Sequence, residues 1–175
     1  TYAPGEQIVV TFPSVKGSRA IISIENGTRV LSTTEHMCND GQTTVKLAVT
    51  PDMQPNAYLY ITLLQPHGVT KNDLPIRMYG VVPFTVTSPE SHLAPIIHMA
   101  DEVKPEAPCH VMVSEKNGRE MAYTLAIVDE GLLDLTRFRT PDPWQAFNAR
   151  EALGVNTWDL YNYVVGAYGG RIEQL

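Results

Sequence analysis

The residues with the most obvious capacity for chemistry are five histidines and two cysteines. The histidines are His36, His67, His92, His98 and His110. Zinc sites generally take two ligands from one element at short spacing, whereas His92 and His98 are six residues apart on a predicted strand. Cys38 and Cys109 are not spaced for a metal knuckle or a redox pair. The sequence therefore predicts no metal site, and it leaves the cysteines as two free, partly buried thiols or as a bridge between two parts of the chain.

Carboxylate pairs and nucleophiles are the next candidates for catalysis. The pairs Asp101-Glu102 and Asp129-Glu130 fall at predicted strand ends, where solvated corner residues are the ordinary explanation. The chain contains no Gly-x-Ser-x-Gly elbow, no Walker loop and no dinucleotide fingerprint, and no serine or cysteine has a partner histidine at informative spacing. We therefore predict that the chain is not an enzyme and that it has no catalytic residues and no cofactor.

One modification motif is present at Asn26-Gly27-Thr28, which matches the N-glycosylation sequon. Asn-Gly is also the preferred dipeptide of a two-residue hairpin turn, in which both residues take positive φ. The turn interpretation is favoured because strand-like segments flank the motif on both sides. Tyrosines in the last fifteen residues could form a binding stripe or pack against a neighbouring domain.

Composition and charge restrict the class of protein. The chain has 175 residues, of which 43% are hydrophobic and 18% charged, with thirteen prolines and twelve glycines. Such a composition is typical of short strands joined by many turns. The formal charge of −6 is spread along the chain without a basic cluster, so nucleic acid is an unsuitable partner. No apolar run approaches the length that spans a bilayer, and the first residues lack a secretion signal. We expect the chain to be a piece of a longer polypeptide.

Two stretches about a hundred residues apart resemble each other. Residues 2–10 align with residues 103–111 on Pro4 and Pro105, and residues 22–27 align with residues 125–131. A period near one hundred is too long for a solenoid repeat and suits tandem all-β domains. The sequence thus predicts one whole module followed by the opening of a second.

The first module, residues 1–88, shows the period-two alternation of half-buried strands. Ile8, Val10 and Phe12 share one face of the first strand. The strands are predicted at residues 6–12, 19–25, 28–37, 43–49, 57–64 and 77–87, with a crossing loop at 65–75. Six or seven strands in under ninety residues indicate a β-sandwich of immunoglobulin or fibronectin type III character.

The second module, residues 89–175, begins at the predicted boundary Ser88-Pro89-Glu90. Strands are predicted at residues 92–99, 105–114 and 120–128, with a turn at 116–118. A short helix is predicted near 142–153, capped by Asp142 and ended by Gly154. Residues 155–175 are predicted to be loop and linker, so this sandwich is incomplete.

Several motifs resemble the segment that precedes the bait region in bacterial alpha-2-macroglobulins. They are Ala126 to Thr136 (AIVDEGLLDLT), Thr140 to Pro143 (TPDP) and Leu153 to Tyr161 (LGVNTWDLY), and the Tyr-x-Pro-Gly-Glu opening at residues 2–6 is similar to the first strand of their macroglobulin domains. The resemblance covers essentially the whole chain.

The resemblance implies a function as well as a fold. Proteins of this family are ladders of macroglobulin domains, one of which is interrupted by an exposed bait segment that proteases cut before the molecule traps them. The fragment would then belong to a broad-spectrum endopeptidase inhibitor, with proteases and other macroglobulin domains as partners. Its expected location is the periplasm or cell envelope, with membrane association only through the parent protein.

Arg171 is the residue that the resemblance singles out as a possible cleavage point on the bait side, although a linker arginine is the plain alternative. Many family members carry a Cys-x-Glu-Gln thioester; here Glu173-Gln174 has Arg171 at the cysteine position, so no thioester forms there. The competing function is a structural or adhesive sandwich module of a cell-envelope protein, whose tail would be ordered and would bind a fixed partner.

Overall fold

The computed structural model describes residues 1–65 and 77–160. The predicted crossing loop at 65–75 therefore lies outside the described residues apart from its first position. Arg171 and the last tyrosines also lie outside them.

Six strands between residues 7 and 85 form two facing sheets. They are β1 (Gln7–Ser14), β2 (Arg19–Glu25), β3 (Val30–Met37), β4 (Gly41–Ala48), β5 (Asn56–Leu64) and β6 (Arg77–Thr85). β1 pairs with β4, and the second sheet has the order β3-β2-β5-β6, with every pairing antiparallel. The all-β sandwich prediction is confirmed, and the strand bounds differ from the predicted ones by a few residues.

The core lies between these two sheets, and the alternation in sequence explains it. Ile8 on β1 is 5% exposed while Val9, which points to the other side, is 57% exposed. Every strongly buried apolar side chain in the described part of the chain lies between Ile8 and Val86: Ile8, Ala20, Ile22, Ile24, Cys38, Val45, Leu47, Val49, Met53, Ala57, Tyr58, Leu59, Leu63 and Val86. Burial of this apolar area is the main stabilising term of the first module.

The turn between β2 and β3 differs from its prediction. Neither Asn26 nor Gly27 has positive φ, so the prediction of a two-residue hairpin turn is wrong. Instead four residues connect the strands, and the Asn26 side-chain carbonyl accepts from the backbone N–H groups of Thr28 and Arg29, both at 2.9 Å. Asparagine can stabilise a turn in this way through its side chain, without a left-handed backbone.

The second half contains one strand pair, β7 (Pro95–His98) and β8 (Met112–Glu115), which are antiparallel. The predicted turn at 116–118 is confirmed, since Gly118 has φ +72° and its N–H donates to the Glu115 carbonyl at 2.9 Å. The predicted strand at 105–114 was too long, because only its last three residues are extended and paired.

Residues 120–128 do not form the predicted strand. Their apolar side chains are exposed, with Ile127 at 71% and Tyr123 at 56%. A strand is stable only when a neighbour satisfies its backbone groups, and the described part of the second half offers no third strand. The repeated stretches reproduce the turn of their counterparts but not the strands. The backbone N–H to carbonyl bond of Glu6 to Ala3 recurs as Ala107 to Lys104, with positive φ at Gly5 and Glu106, whereas 108–111 and 125–131 are not extended and paired. The domain boundary after residue 88 stays a prediction.

Two helices follow, α1 (Glu130–Thr136) and α2 (Pro143–Phe147). α1 was not predicted; Asp129 caps it by accepting from the Gly131 N–H. Asp142 caps α2 and Pro143 opens it as predicted, but the helix ends at Phe147 and not at Gly154. Among the described residues no helix is long and apolar enough to cross a membrane.

We expect amide hydrogen exchange to be faster in residues 89–160 than in residues 7–86. Among residues 1–65 and 77–160, the buried apolar side chains all belong to the first module, while β7 and β8 form an isolated pair with exposed neighbours. Exchange mass spectrometry on peptides from each half measures this difference. Equal protection in the two halves would contradict it.

Candidate functional site

The segment after α2 does not leave the molecule as a free linker, because it lies across the outer face of β5 and β6. We call residues 150–160 the strap; it has no regular secondary structure. On β5, alternate residues starting at Asn56 point away from the core toward it. The strap covers them, and Tyr58 on this outer face is therefore only 8% exposed.

The firmest contact of the strap is a clamp on the backbone of Glu151. The Asn56 side chain donates to the Glu151 carbonyl at 3.1 Å and accepts from the Glu151 N–H at 2.7 Å. The Tyr58 hydroxyl donates to the same carbonyl at 2.8 Å. Asn56 is 2% exposed, so water does not compete freely for these hydrogen bonds. A side-chain amide here satisfies both backbone groups of one residue, as a neighbouring strand would.

Two glycines allow the strap to approach the turn after β2. A Cβ added at Gly154 would lie 1.8 Å from the Gly27 carbonyl oxygen, and one added at Gly27 would lie 2.9 Å from the Glu151 carboxylate. Neither glycine has positive φ, so the requirement is for space. The sequon dipeptide thus has a packing role: its glycine contacts the strap.

The far end of the strap is held by an ion pair. The Arg77 guanidinium lies 2.6 Å from the Asp159 carboxylate. Beside it, a cleft of about 500 Å³ is lined by Tyr60, Thr62, Leu64, Arg77, Tyr79 and by residues 157–160. The rings of Tyr60 and Tyr79, which line this cleft, are stacked with their centroids 6.3 Å apart. The last described residues therefore lie on the first sandwich.

Trp144 anchors the chain just before the strap. Its indole N–H donates to the Ser91 hydroxyl at 3.1 Å, and its ring packs edge-on against His92 at 4.8 Å. His92 is thus an aromatic packing partner in this structure. Phe147, three residues later on α2, is 86% exposed.

A buried carboxylate organises the β7–β8 pair. The Glu115 side chain is fully buried and lies 2.9 Å from the Arg119 guanidinium. It also accepts from the backbone N–H groups of Ala94, Asn117 and Arg119. The Arg119 side chain, its backbone N–H and those of Asn117 and Ala94 together lower the pKa of Glu115 to about 2, against the opposing effect of burial.

This carboxylate is a structural group. The Arg119 guanidinium donates onward to the backbone carbonyls of Glu90 and His92, which ties the strand pair to the segment before it. The partners of the Glu115 carboxylate lie at Ala94, Asn117 and Arg119, and this carboxylate does not line the cleft beside Arg77.

The other candidates for chemistry are dispersed. His36 contacts the Thr34 hydroxyl on β3, His98 is exposed on β7, and His110 is exposed in an irregular segment. His67 lies outside the described residues. Cys38 is buried, Cys109 is exposed and both are free thiols, so the bridge between them is not present. Within the described ranges no three of the His, Cys, Asp and Glu side chains are grouped so that they could hold a metal.

The strap contacts were missed by sequence reasoning, although a signal was available. Asn56, Tyr58 and Tyr60 alternate with Ala57 and Leu59, so a polar and aromatic row faces away from the core. When another segment buries a polar row of this kind, that segment must supply hydrogen-bond donors and acceptors, for example from its backbone. The partner could not be located, because it lies more than ninety residues away.

The family model described as "Alpha-2-macroglobulin bait region domain" matches residues 1–135. The chain belongs to this family. The expected resemblance to bacterial alpha-2-macroglobulins is thereby confirmed, with the match ending one residue before the end of α1.

Curated relatives carry the alpha-2-macroglobulin name and are much longer. The protein of Escherichia coli strain K12 is 28% identical over 117 residues, which are 64% of this chain and 7% of that protein. The protein of Xylella fastidiosa strain Temecula1 is 25% identical over 179 aligned positions, covering all of this chain and 11% of that protein. The chain therefore spans about a tenth of the length of the alpha-2-macroglobulins it matches.

Two solved structures share the fold. The native conformation of E. coli alpha-2-macroglobulin, determined by cryo-EM, has a TM-score of 0.52 and 20% identity, with 88% of this chain and 10% of that chain covered. A Salmonella alpha-2-macroglobulin mutant gives 0.53 and 19%, with coverage of 87% and 10%. These likenesses support the sandwich architecture of the alpha-2-macroglobulin bait region domain.

Proposed function

We propose that the chain is part of a bacterial alpha-2-macroglobulin-like broad-spectrum protease trap, in which it supplies scaffold domains next to the bait region. The observation that carries the proposal is the bait region domain match over residues 1–135. The strap supports it, because residues 150–160 are held on a packed sandwich up to the point where the proposed bait side begins.

In a protease trap of this kind, the scaffold next to the bait segment must resist cleavage. A protease binds its substrate as an extended strand, so backbone already paired in ladders is a poor substrate. The strands of the first sandwich are paired in this way, and the strap backbone is clamped at Glu151. Cleavage in these parts would then be slow, and Arg171, beyond residue 160, is the proposed basic site on the bait side. We propose no catalytic role for the chain.

Partners and location follow from the same proposal. The partners are proteases, which act on the bait segment, and neighbouring macroglobulin domains of the parent, for which the exposed apolar side chains of residues 97–138 offer contact area. The location proposed for the parent is the periplasm or cell envelope.

We expect brief treatment with trypsin to cut the chain after Arg171 well before it cuts the paired strands of the first sandwich. Sites such as Arg19 on β2 and Lys46 on β4 lie in paired strands and should survive far longer. Intact mass spectrometry detects the product that ends at Arg171, and the Arg171→Gln chain is the control that should lack it. Resistance at Arg171 equal to that of the strand sites would contradict the proposal and favour an adhesive module with an ordered tail.

A further inference from the structure

We propose that Asn56 and Tyr58 are positioning residues that set where the protease-sensitive part of the chain begins, by holding the backbone of Glu151. This inference rests on the proposed function, because only in a protease trap does the start of the protease-sensitive segment have a functional role. The Arg150–Glu151 peptide bond follows an arginine, as trypsin-like enzymes require. We infer that docking of the strap on the sandwich protects this bond from cleavage.

The clamp acts on the bond itself. The N–H of Glu151 belongs to the Arg150–Glu151 peptide, and it donates to the Asn56 side chain at 2.7 Å. The next carbonyl, that of Glu151, accepts from Asn56 at 3.1 Å and from Tyr58 at 2.8 Å. A protease binds its substrate as an extended strand whose scissile peptide bond is accessible. The Glu151 backbone cannot enter a protease cleft while Asn56 and Tyr58 hold it on the sandwich.

The arginine side chain is also engaged. Arg150 is exposed to solvent, but its guanidinium lies over the Tyr58 ring at 5.7 Å from the centroid. Such a cation–π contact is weak at an exposed site. It nevertheless places the Arg150 guanidinium against the sandwich. Exposure of a basic side chain therefore does not make this bond a substrate.

Cleavage at Arg150 requires the strap to undock. When undocking is rapid compared with cutting, the rate of cleavage is proportional to the population of the undocked form. Each hydrogen bond of the clamp lowers this population, and the Gly27–Gly154 contact allows the strap to lie close enough to make them. The clamp and the glycine contact can be disturbed separately.

The test measures trypsin cleavage at two sites of the intact chain. We expect the wild-type chain to be cut after Arg171 and to resist cutting after Arg150. In Asn56→Ala and in Gly154→Ala the rate at Arg150 should rise about tenfold or more, and in Tyr58→Phe by a smaller factor. Gly80→Ala is the matched glycine control, because a Cβ there meets no atom within 4 Å. It should leave the rate at Arg150 unchanged.

A structural defect is separated from loss of the clamp by two further readouts. Thermal melting and the resistance of Arg19 and Lys46 report whether the sandwich is intact. Gly154→Ala changes the strap and leaves the core untouched, so it decides the outcome if Asn56→Ala fails to fold. Arg150→Gln in the Gly154→Ala chain should abolish the new fragment.

Unchanged cleavage at Arg150 in a folded Gly154→Ala chain would overturn the inference, as would rapid cleavage at Arg150 in the wild type. The proposed function fails on a different observation, which is resistance at Arg171 in the wild-type chain. If the variants are cleaved faster at Arg150 but the chain resists cleavage at Arg171, the proposed role of the clamp stands and the proposed bait function is wrong.

Discussion

Replacing Ile22 with alanine should lower the free energy of unfolding of the first sandwich by about 2–5 kcal/mol. Ile22 is 1% exposed and lies on β2, between β3 and β5 in the four-stranded sheet. Its side chain faces β1 and β4 across the core. Truncation removes buried methyl and methylene groups and leaves a cavity that paired strands cannot close.

Urea unfolding followed by circular dichroism measures this change as a lower midpoint at constant slope. The matched control is Val9→Ala, since Val9 is also β-branched and lies on a strand but is 57% exposed. Its effect should stay within about 0.5 kcal/mol. Similar effects of the two substitutions would mean that the packed interface between the sheets is not the source of stability.

The second large effect concerns Glu115 and acid. The pKa of this carboxyl group is lowered from 4.5 to about 2, first by the Arg119 side chain and then by backbone N–H groups. A group whose pKa is lower in the folded state stabilises the fold above its unfolded pKa. The stabilisation of the β7–β8 pair should therefore be complete above about pH 4.5 and be lost as the pH falls toward 2.

The measurement is the protection of the backbone N–H groups of Ala94, Asn117 and Arg119 as a function of pH. In Glu115→Gln the charge is absent and one amide N–H group replaces an acceptor, so protection should be weak at every pH. Glu120→Gln, a change at an exposed carboxyl nearby, is the control that should keep the wild-type profile. A wild-type profile that is flat from pH 5 to 2 would exclude the assigned role.

The first sandwich was predictable because apolar residues recur at every second position along β1, β2 and β4. Ile8 and Val10 on β1, and Ala20, Ile22 and Ile24 on β2, point to the core as the period of two requires. A slip of one residue would expose each of these sets, so pattern and structure are strongly coupled. The bounds of β2 were obtained without error for the same reason.

The predictions that failed depend on partners that local sequence does not contain. Residues 120–128 have strand-forming composition, yet the described part of the chain gives them no neighbouring strand. Asn26-Gly27 carries the hairpin signature, but the Asn26 side chain builds a longer turn and Gly27 contacts the strap. In both cases tertiary context overrides local preference.

The candidate site divides in the same way. Arg171 was chosen from residue type and family resemblance, and it stays a prediction because it lies outside the described residues. The clamp at Asn56 and Tyr58 was not predicted. The sequence shows that a side-chain amide can both donate and accept hydrogen bonds, but it does not show which residue will be the partner. Glu115 and Arg119 are four residues apart, but only the fold brings the Arg119 side chain and the Ala94 N–H onto the carboxylate, and such contacts lower the pKa of Glu115.

The sequence by itself determined the sheet class, the inward faces of β1, β2 and β4, the N-cap of α2 and the family, because these depend on periodicity and on motifs of a few adjacent residues. The tertiary structure alone decided that residues 150–160 lie on the first sandwich and that Asn56 holds Glu151 across 95 positions of chain. A contact at that separation is fixed by how the whole chain packs, and no local pattern encodes it.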